Sequence, residues 1–231
     1  LKSYKHYSTK KTLLIKISGD LTVGKNSKQA RFRIQRRLGT ELPGLGKPGA
    51  RERRPYPPGE SGNKRKKYSD YALRLEEKQK FRFHYCLKEH QLRRFIRNAK
   101  TGQSTNWVSK LAGLLERRLD NVVFRLGLAP SIPSARQLVS HGHIQVDGKK
   151  VDIPSFVLKP GQEISLKNNS EKNQIVLTAI QSPRMDVPDY LAKEEKAGKL
   201  TGKVVSIPGI EYIPFKCNTG LLTEYYAARK A

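Results

Sequence analysis

The sequence predicts an α+β protein: a mainly helical domain interrupted by a small αβ module of two helices and short antiparallel strands, preceded by an extended basic N-terminal arm. Three observations carry this. Apolar residues follow helical spacing through most of 69–127, period-two alternation takes over after Gly142 around an Asp-Gly turn, and helical spacing returns at Leu221, Leu222, Tyr225 and Tyr226. The late return implies that the module sits inside the helical domain.

The elements follow in order. Residues 18–70 are rich in Gly and Pro and carry basic clusters at Arg31, Arg33, Arg36 and Arg37, at Arg51, Arg53 and Arg54, and from Lys64 to Lys67. Such a segment buries little by itself and reads as an arm ordered on a polyanion, with one short helix at about 29–38. Ser69-Asp70 supplies a capping hydroxyl and an acid before a Pro- and Gly-free run to about Tyr85. A second helix is expected at 88–99, because Leu92, Phe95, Ile96 and Ala99 fall on one face and turn Arg93, Arg94 and Arg97 outward. A third, at 108–127, buries Leu111, Leu114, Leu115, Leu119, Val122, Val123 and Leu126, leaving Arg117, Asn121 and Arg125 on its polar face. Gly127 then supplies its stop.

After a Pro- and Ser-containing turn, Ala135, Leu138 and Val139 form the inner face of a short helix ending at Gly142. Ile144 and Val146 alternate with polar residues, Asp147-Gly148 is a hairpin turn, and Lys150-Val151 begins the return. Pro160-Gly161 turns the chain again before Glu163–Leu166, and a polar stretch from Lys167 to Asn173 leads into the tail. The expected organisation is therefore an arm at 1–50, a first helical part at 51–109, the module at 110–170 and a return to the helical domain at 171–231.

Charge restricts the function. The chain has 46 Lys+Arg against 20 Asp+Glu in 231 residues, a formal +26, and residues 1–100 hold 28 of those cations and 8 of the acids. A surface this basic calls for an anionic partner, and release of counterions from nucleic acid is its commonest use. No apolar run reaches the ~18 residues of a membrane helix, and the patch from Leu13 to Ile17 is too short for a secretory core. Cys86 and Cys217, far apart, suggest neither a disulfide framework nor a metal cluster, and fit a reducing compartment.

Candidate nucleic-acid contacts come from the basic clusters and from polar sides of the module. In the arm they are Arg36, Arg37, Arg53, Arg54, Tyr56, Lys64, Arg65, Lys66 and Lys67, where Pro-rich backbone fixes the path and Tyr56 can stack on a base. In the module they are Arg118, Arg125, Arg136, Gln137, His141 and Lys149, the guanidinium forks suiting phosphate oxygens. Plainer readings compete. Arg117 and Arg118 can belong to a solvated helix face or pair with Glu116 or Asp120, Trp107 reads as a packing residue, and Phe81, Phe83 and Tyr85 as core. His141 and His143 have no further ligand at metal spacing, and the Gly-rich 39–49 lacks the Gly-Lys-Ser/Thr ending of a phosphate loop. Neither a metal nor a cofactor is expected.

The stretch 116–151, ERRLDNVVFRLGLAPSIPSARQLVSHGHIQVDGKKV, closely resembles the RNA-binding module of the small-subunit ribosomal protein S-four family. RRPYPPG at 53–59, RLEEKQKFRFHY at 74–85, VDIPSF at 151–156 and EYYAARKA at 224–231 resemble family segments too. The likeness covers about 31–231, and RRLGTELPGLGK at 36–47 and RLEEKQKFRFHY at 74–85, with PSIPSARQLV at 130–139 in agreement, are similar to the cyanobacterial and plastid branch. It implies a structural constituent of the small subunit that binds the 5′ region of its rRNA, nucleates the subunit body and contributes to decoding accuracy. It also implies neighbouring small-subunit proteins as partners, mRNA at the entry side, and a place in the chloroplast stroma or, alternatively, in a bacterial or cyanobacterial cytoplasm. No membrane or small-molecule substrate is expected. Two rival functions are a free-standing RNA chaperone using the same module and an enzyme, since Arg118-Leu119-Asp120 resembles a pseudouridine synthase triplet. The triplet lies within the module and no second domain of catalytic size follows, so no enzyme is expected.

Overall fold

The structure, a computed structural model, describes residues 30–46, 48–49, 51–52, 54–59, 67–101, 106–168, 170, 173–196 and 199–227. The chain is α+β. Its helices are α1 (Arg31–Leu38), α2 (Asp70–His84), α3 (Glu89–Lys100), α4 (Trp107–Glu116), α5 (Leu119–Arg125), α6 (Ile132–Ser140), α7 (Gln174–Gln181) and α8 (Thr219–Ala227). Its strands are β1 (Ile144–Val146), β2 (Lys149–Lys150), β3 (Glu163–Leu166), β4 (Leu191–Lys196) and β5 (Lys199–Val204). No described helix is long and apolar enough to cross a membrane.

Local signals set most helix starts. Ser69 Oγ accepts from Ala72 N at 3.3 Å, Asn106 Oδ1 from Ser109 N at 3.1 Å, and Ser131 Oγ from Ser134 N at 3.4 Å. In α3 the apolar face is fully used: Leu92, Phe95, Ile96 and Ala99 are all buried. α8 lies along α2, with Arg74 and Glu224 paired at 2.7 Å and Tyr71 and Tyr225 rings 6.2 Å apart. Trp107 packs edge-on to Tyr226, as the packing reading expects, and carries Lys100 Nζ over its ring at 5.3 Å.

The single long helix expected at 108–127 is instead two. The chain turns at Arg117, and Arg118 adopts extended backbone and bridges to Val157. The cause is distant in sequence. Loop 154–158 supplies the carbonyls of Phe156 and Pro154 to Leu119 N (2.8 Å) and Asp120 N (3.2 Å), and Leu158 N returns a bond to Arg117 O at 2.9 Å. Backbone groups that a continuous helix would satisfy internally are thus satisfied across the fold.

Strand order in the antiparallel sheet is β2-β1-β3-β5-β4. Asp147 and Gly148 both have positive φ (48° and 74°), the geometry of a tight hairpin turn whose twist matches the strands. Ile144, Val146, Ile164, Leu166, Leu191 and Val204 share one buried face through the pairs Ile144–Leu166, Val146–Ile164 and Leu191–Val204. Among the described residues, β4 and β5 lie in 191–204, where the sequence predicts only a tail, and no sequence pattern predicts α7. Its apolar side is short, with Val176 and Ala179 alone buried.

The arm is held at one tight point. A Cβ on Gly44 would lie 2.5 Å from the carbonyl oxygen of His84 and 2.6 Å from Ile132 Cδ1, so only glycine lets the 3-10 turn Pro43–Leu45 enter between α2 and α6. Gly44 N there donates to His84 Nδ1 over a long 3.4 Å. Burial, and then the nearby Arg125 charge, holds the His84 pKa well below its ordinary 6.5. The folded chain therefore takes up this proton less readily than the unfolded one. Stability from this site is complete above about pH 6.5 and falls below it by up to ~1.4 kcal/mol per pH unit. Guanidinium unfolding at pH 7.5 and 5.0 should show this slope, and His84→Asn, which keeps an acceptor but cannot titrate, should flatten it.

Candidate nucleic-acid interface

Helix α6 and the β1-β2 hairpin build the module's basic edge. Gln137 and His141 lie one helical turn apart on the exposed side of α6, whose other side buries Ala135, Leu138 and Val139. Gly142, at φ 73°, then bends the chain into β1. The aliphatic stem of Lys150 lies against Gly142, where any Cβ would overlap it, and this brings Lys150 beside His141. Lys149 projects from the opposite face of the same edge strand, and both lysines are exposed. Lys150 was missing from the sequence-derived set, although its place directly after the hairpin turn signalled an edge position. His143 is half-buried, with Nδ1 3.0 Å from Ser170 Oγ.

The arm contributes a second cluster. Arg36 Nε donates to Tyr56 O at 3.0 Å and Nη2 to Pro57 O at 3.4 Å, and its guanidinium carbon sits 5.1 Å from the centroid of the Tyr56 ring. Tyr56 is thereby fixed with part of its surface open to solvent. Arg51 Nη1 donates to Gly39 O at 2.7 Å and ties the Pro-rich turn to the end of α1, while Arg37, Arg54 and Lys67 are exposed. Arg53, Lys64, Arg65 and Lys66 lie outside the described residues.

Three arginines expected on the outer surface are turned inward. Arg118 is 2% exposed and forms a fork with Asp120, Nε to Oδ1 at 3.0 Å and Nη2 to Oδ2 at 2.8 Å, with its plane over Phe95 at 5.3 Å. Asp120 Oδ2 also accepts from Arg136 Nε at 3.1 Å and Nη2 at 2.8 Å. Arg136 also donates from Nη1 to Cys86 O at 2.9 Å and from Nη2 to Tyr85 O at 3.3 Å, so its half-exposed side chain is a bracket between α6 and the end of α2. Arg125 is 3% exposed and donates to Glu116 Oε2 at 3.1 Å and to Tyr212 O. The turn at Arg117 accounts for Arg118 and Arg125. It swings α5 so that the i+4 row Asn121 and Arg125, which would face solvent on a straight helix, faces the core. Pairing of Arg118 with Asp120, the plainer alternative from sequence, is what the structure contains.

Glu116 is the hub of this interior. Its Oε2 accepts from Asn121 Nδ2 (2.9 Å), Tyr190 OH (2.7 Å) and Arg125 Nε, and its Oε1 accepts from Tyr85 OH. Burial and the Glu116 charge push both phenols above their ordinary value, so they remain donors. Burial would lower Arg125, but Glu116 and the two tyrosines outweigh it and hold the guanidinium charged. One carboxylate thus joins α2, α4, α5 and the segment before β4.

The family model described as the S4 domain matches residues 117–164, and that described as the ribosomal protein S4/S9 N-terminal domain matches 26–116. The chain is 55% identical over 207 residues to small ribosomal subunit protein uS4B of Bdellovibrio bacteriovorus, covering 90% of this chain and 100% of that protein. The chain belongs to the ribosomal protein S4 family. Small ribosomal subunit proteins uS4 of Rippkaea orientalis and Nostoc punctiforme match at 48% over 202 residues and 49% over 200, with 87% and 85% of this chain and 96% and 95% of each relative covered. The two S4 family models meet where α4 ends, and the Glu116–Arg125 pair bridges that junction. The sheet of this S4 chain continues past the matched module, through β5 and β4.

Proposed function

We propose that this chain is a structural constituent of the small ribosomal subunit that binds its rRNA and acts by ordering RNA, without bond chemistry. The observation that carries the reading is the family match across both the helical part and the module, in a chain whose exposed cations cluster on both. The contact set is Gln137, His141 and Lys149, joined by Lys150, together with Arg36, Arg37, Arg53, Arg54, Tyr56 and Lys64 to Lys67. Arg118, Arg125 and Arg136 serve instead as the internal frame that positions it. RNA helices hide base edges in a deep groove, so shape and phosphate recognition dominate such a face. By the same family reading the chain binds the 5′ region of the rRNA, seeds the subunit body, meets neighbouring small-subunit proteins and mRNA at the entry side, and affects decoding accuracy.

A free-standing RNA chaperone is the second reading, and a family match extending over the N-terminal domain weighs against it. The chain should co-sediment with small subunits through a high-salt wash, and recovery only in the soluble fraction would sink the ribosomal reading. Likeness to cyanobacterial relatives supports a chloroplast stroma, and the Bdellovibrio relative supports a bacterial cytoplasm. The genome that carries the gene decides between them.

For the module edge, the triple change His141→Ala, Lys149→Ala and Lys150→Ala should weaken binding to a 5′-domain rRNA fragment at least tenfold at low salt. The slope of log affinity against log salt should fall by roughly 1.4 to 1.8, about 0.7–0.9 for each of the two lysine–phosphate contacts. These side chains lie at the surface, so unfolding should move by no more than ~0.5 kcal/mol. An unchanged slope would place the RNA elsewhere.

A further inference from the structure

The exposed side of α3 is not used by the contacts described so far. Arg93, Arg94 and Arg97 are all exposed there, while the opposite side is sealed by Leu92, Phe95, Ile96 and Ala99. The helix cannot roll to hide these charges. Glu89 is the acid within reach, and it is already shared between Lys78 Nζ at 2.6 Å and Arg93 Nε at 3.4 Å. Among the described residues no acid pairs with Arg94 or Arg97. The helix dipole favours Arg97 in the last turn, but it gives no reason for Arg94 in the middle, and Arg93 and Arg97 at i, i+4 repel each other.

The ridge is also fixed relative to the module. Phe95, next to Arg94, underlies the Arg118 guanidinium, Arg118 is forked to Asp120, and Asp120 holds Arg136 of α6. A rigid chain of side chains therefore connects the α3 ridge to the helix that presents Gln137 and His141. Cations held in fixed relation on two elements suit a polyanion with regularly spaced charges better than a single small anion, because several contacts form without further ordering cost.

We infer that Arg94 and Arg97, with Arg93, form a second phosphate-contact ridge that grips the RNA backbone independently of the module edge and of base sequence. This rests on the proposed RNA-binding function. The test is filter binding of the full chain to a 5′-domain rRNA fragment from 50 to 400 mM KCl, comparing wild type, Arg94→Ala/Arg97→Ala and the module-edge triple. The ridge variant should bind about tenfold more weakly at the lowest salt, and its slope should fall by roughly 1.5. Its circular dichroism and melting curve should match wild type. Binding and slope equal to wild type would overturn the ridge while leaving the RNA function standing, and would mark this side as free for a protein neighbour. Absence of salt-dependent binding by wild type would overturn the function itself and the ridge with it.

Discussion

Glu116→Ala is expected to destabilise the fold by about 3–5 kcal/mol, the scale for removing one partner of a buried charge pair. The change strips the acceptor from Tyr85, Tyr190, Asn121 and Arg125 together and leaves a cation in the interior. Against a whole-domain stability of roughly 5–15 kcal/mol, that is a large share. The measurement is urea unfolding followed by tryptophan fluorescence, since the chain's single Trp107 opens α4. Glu116→Gln should be milder, because one acceptor oxygen remains, though Arg125 then lacks its counter-charge. A midpoint for Glu116→Ala within 1 kcal/mol of wild type would show that the hub is dispensable.

Asp120→Ala should cost a similar ~3–5 kcal/mol, since Asp120 is 1% exposed and neutralises two guanidinium groups. Arg118 is the more damaging orphan. Its Nη1 already lacks a hydrogen-bond partner among the described residues, and Phe95 beneath it offers only its ring face. The paired change Arg118→Met with Asp120→Leu should recover much of the loss, as apolar replacements of buried ion pairs commonly do. Wherever these variants stay folded, the salt dependence of RNA binding should match wild type. A reduced slope in the folded pair variant would return Arg118 to the RNA face. The arginines that look most like phosphate ligands in the sequence are therefore expected to report on folding.

That reversal shows where the sequence is readable. α3 was legible in full, because its apolar period and its Gly- and Pro-free run are local properties, and the Asp147-Gly148 hairpin was legible because the turn demands those residues. The fate of Arg118 and Arg125 was not. It depends on a helix break capped by carbonyls at 154 and 156, more than thirty residues downstream, and no local pattern records that partnership. Glu116 left a fainter trace as an acid following Leu114 and Leu115 on a largely apolar helix. Charge patterning reads as solvation unless the partner is known. β4 and β5 were hidden for another reason. LAKEEK and KLTGKV alternate weakly, and Gly202 of β5 rests on Leu126 without space for a side chain, a contact that no local pattern records.

The strand order β2-β1-β3-β5-β4 also constrains how the chain can mature. β3 ends at Leu166 and its outer neighbour β5 begins at Lys199. At about 5–20 residues per second, translation leaves the edge of β3 without its partner for roughly 2–7 seconds. During that interval the nascent chain offers Ile164 and Leu166 beside unpaired backbone groups, a template for pairing with other chains. Completion of the sheet, and with it the seating of Leu126, waits for the synthesis of 191–204. A truncation before Lys199 is therefore a different object from a shortened tail: a nascent module with a sticky margin, suited to aggregation or to capture by chaperones.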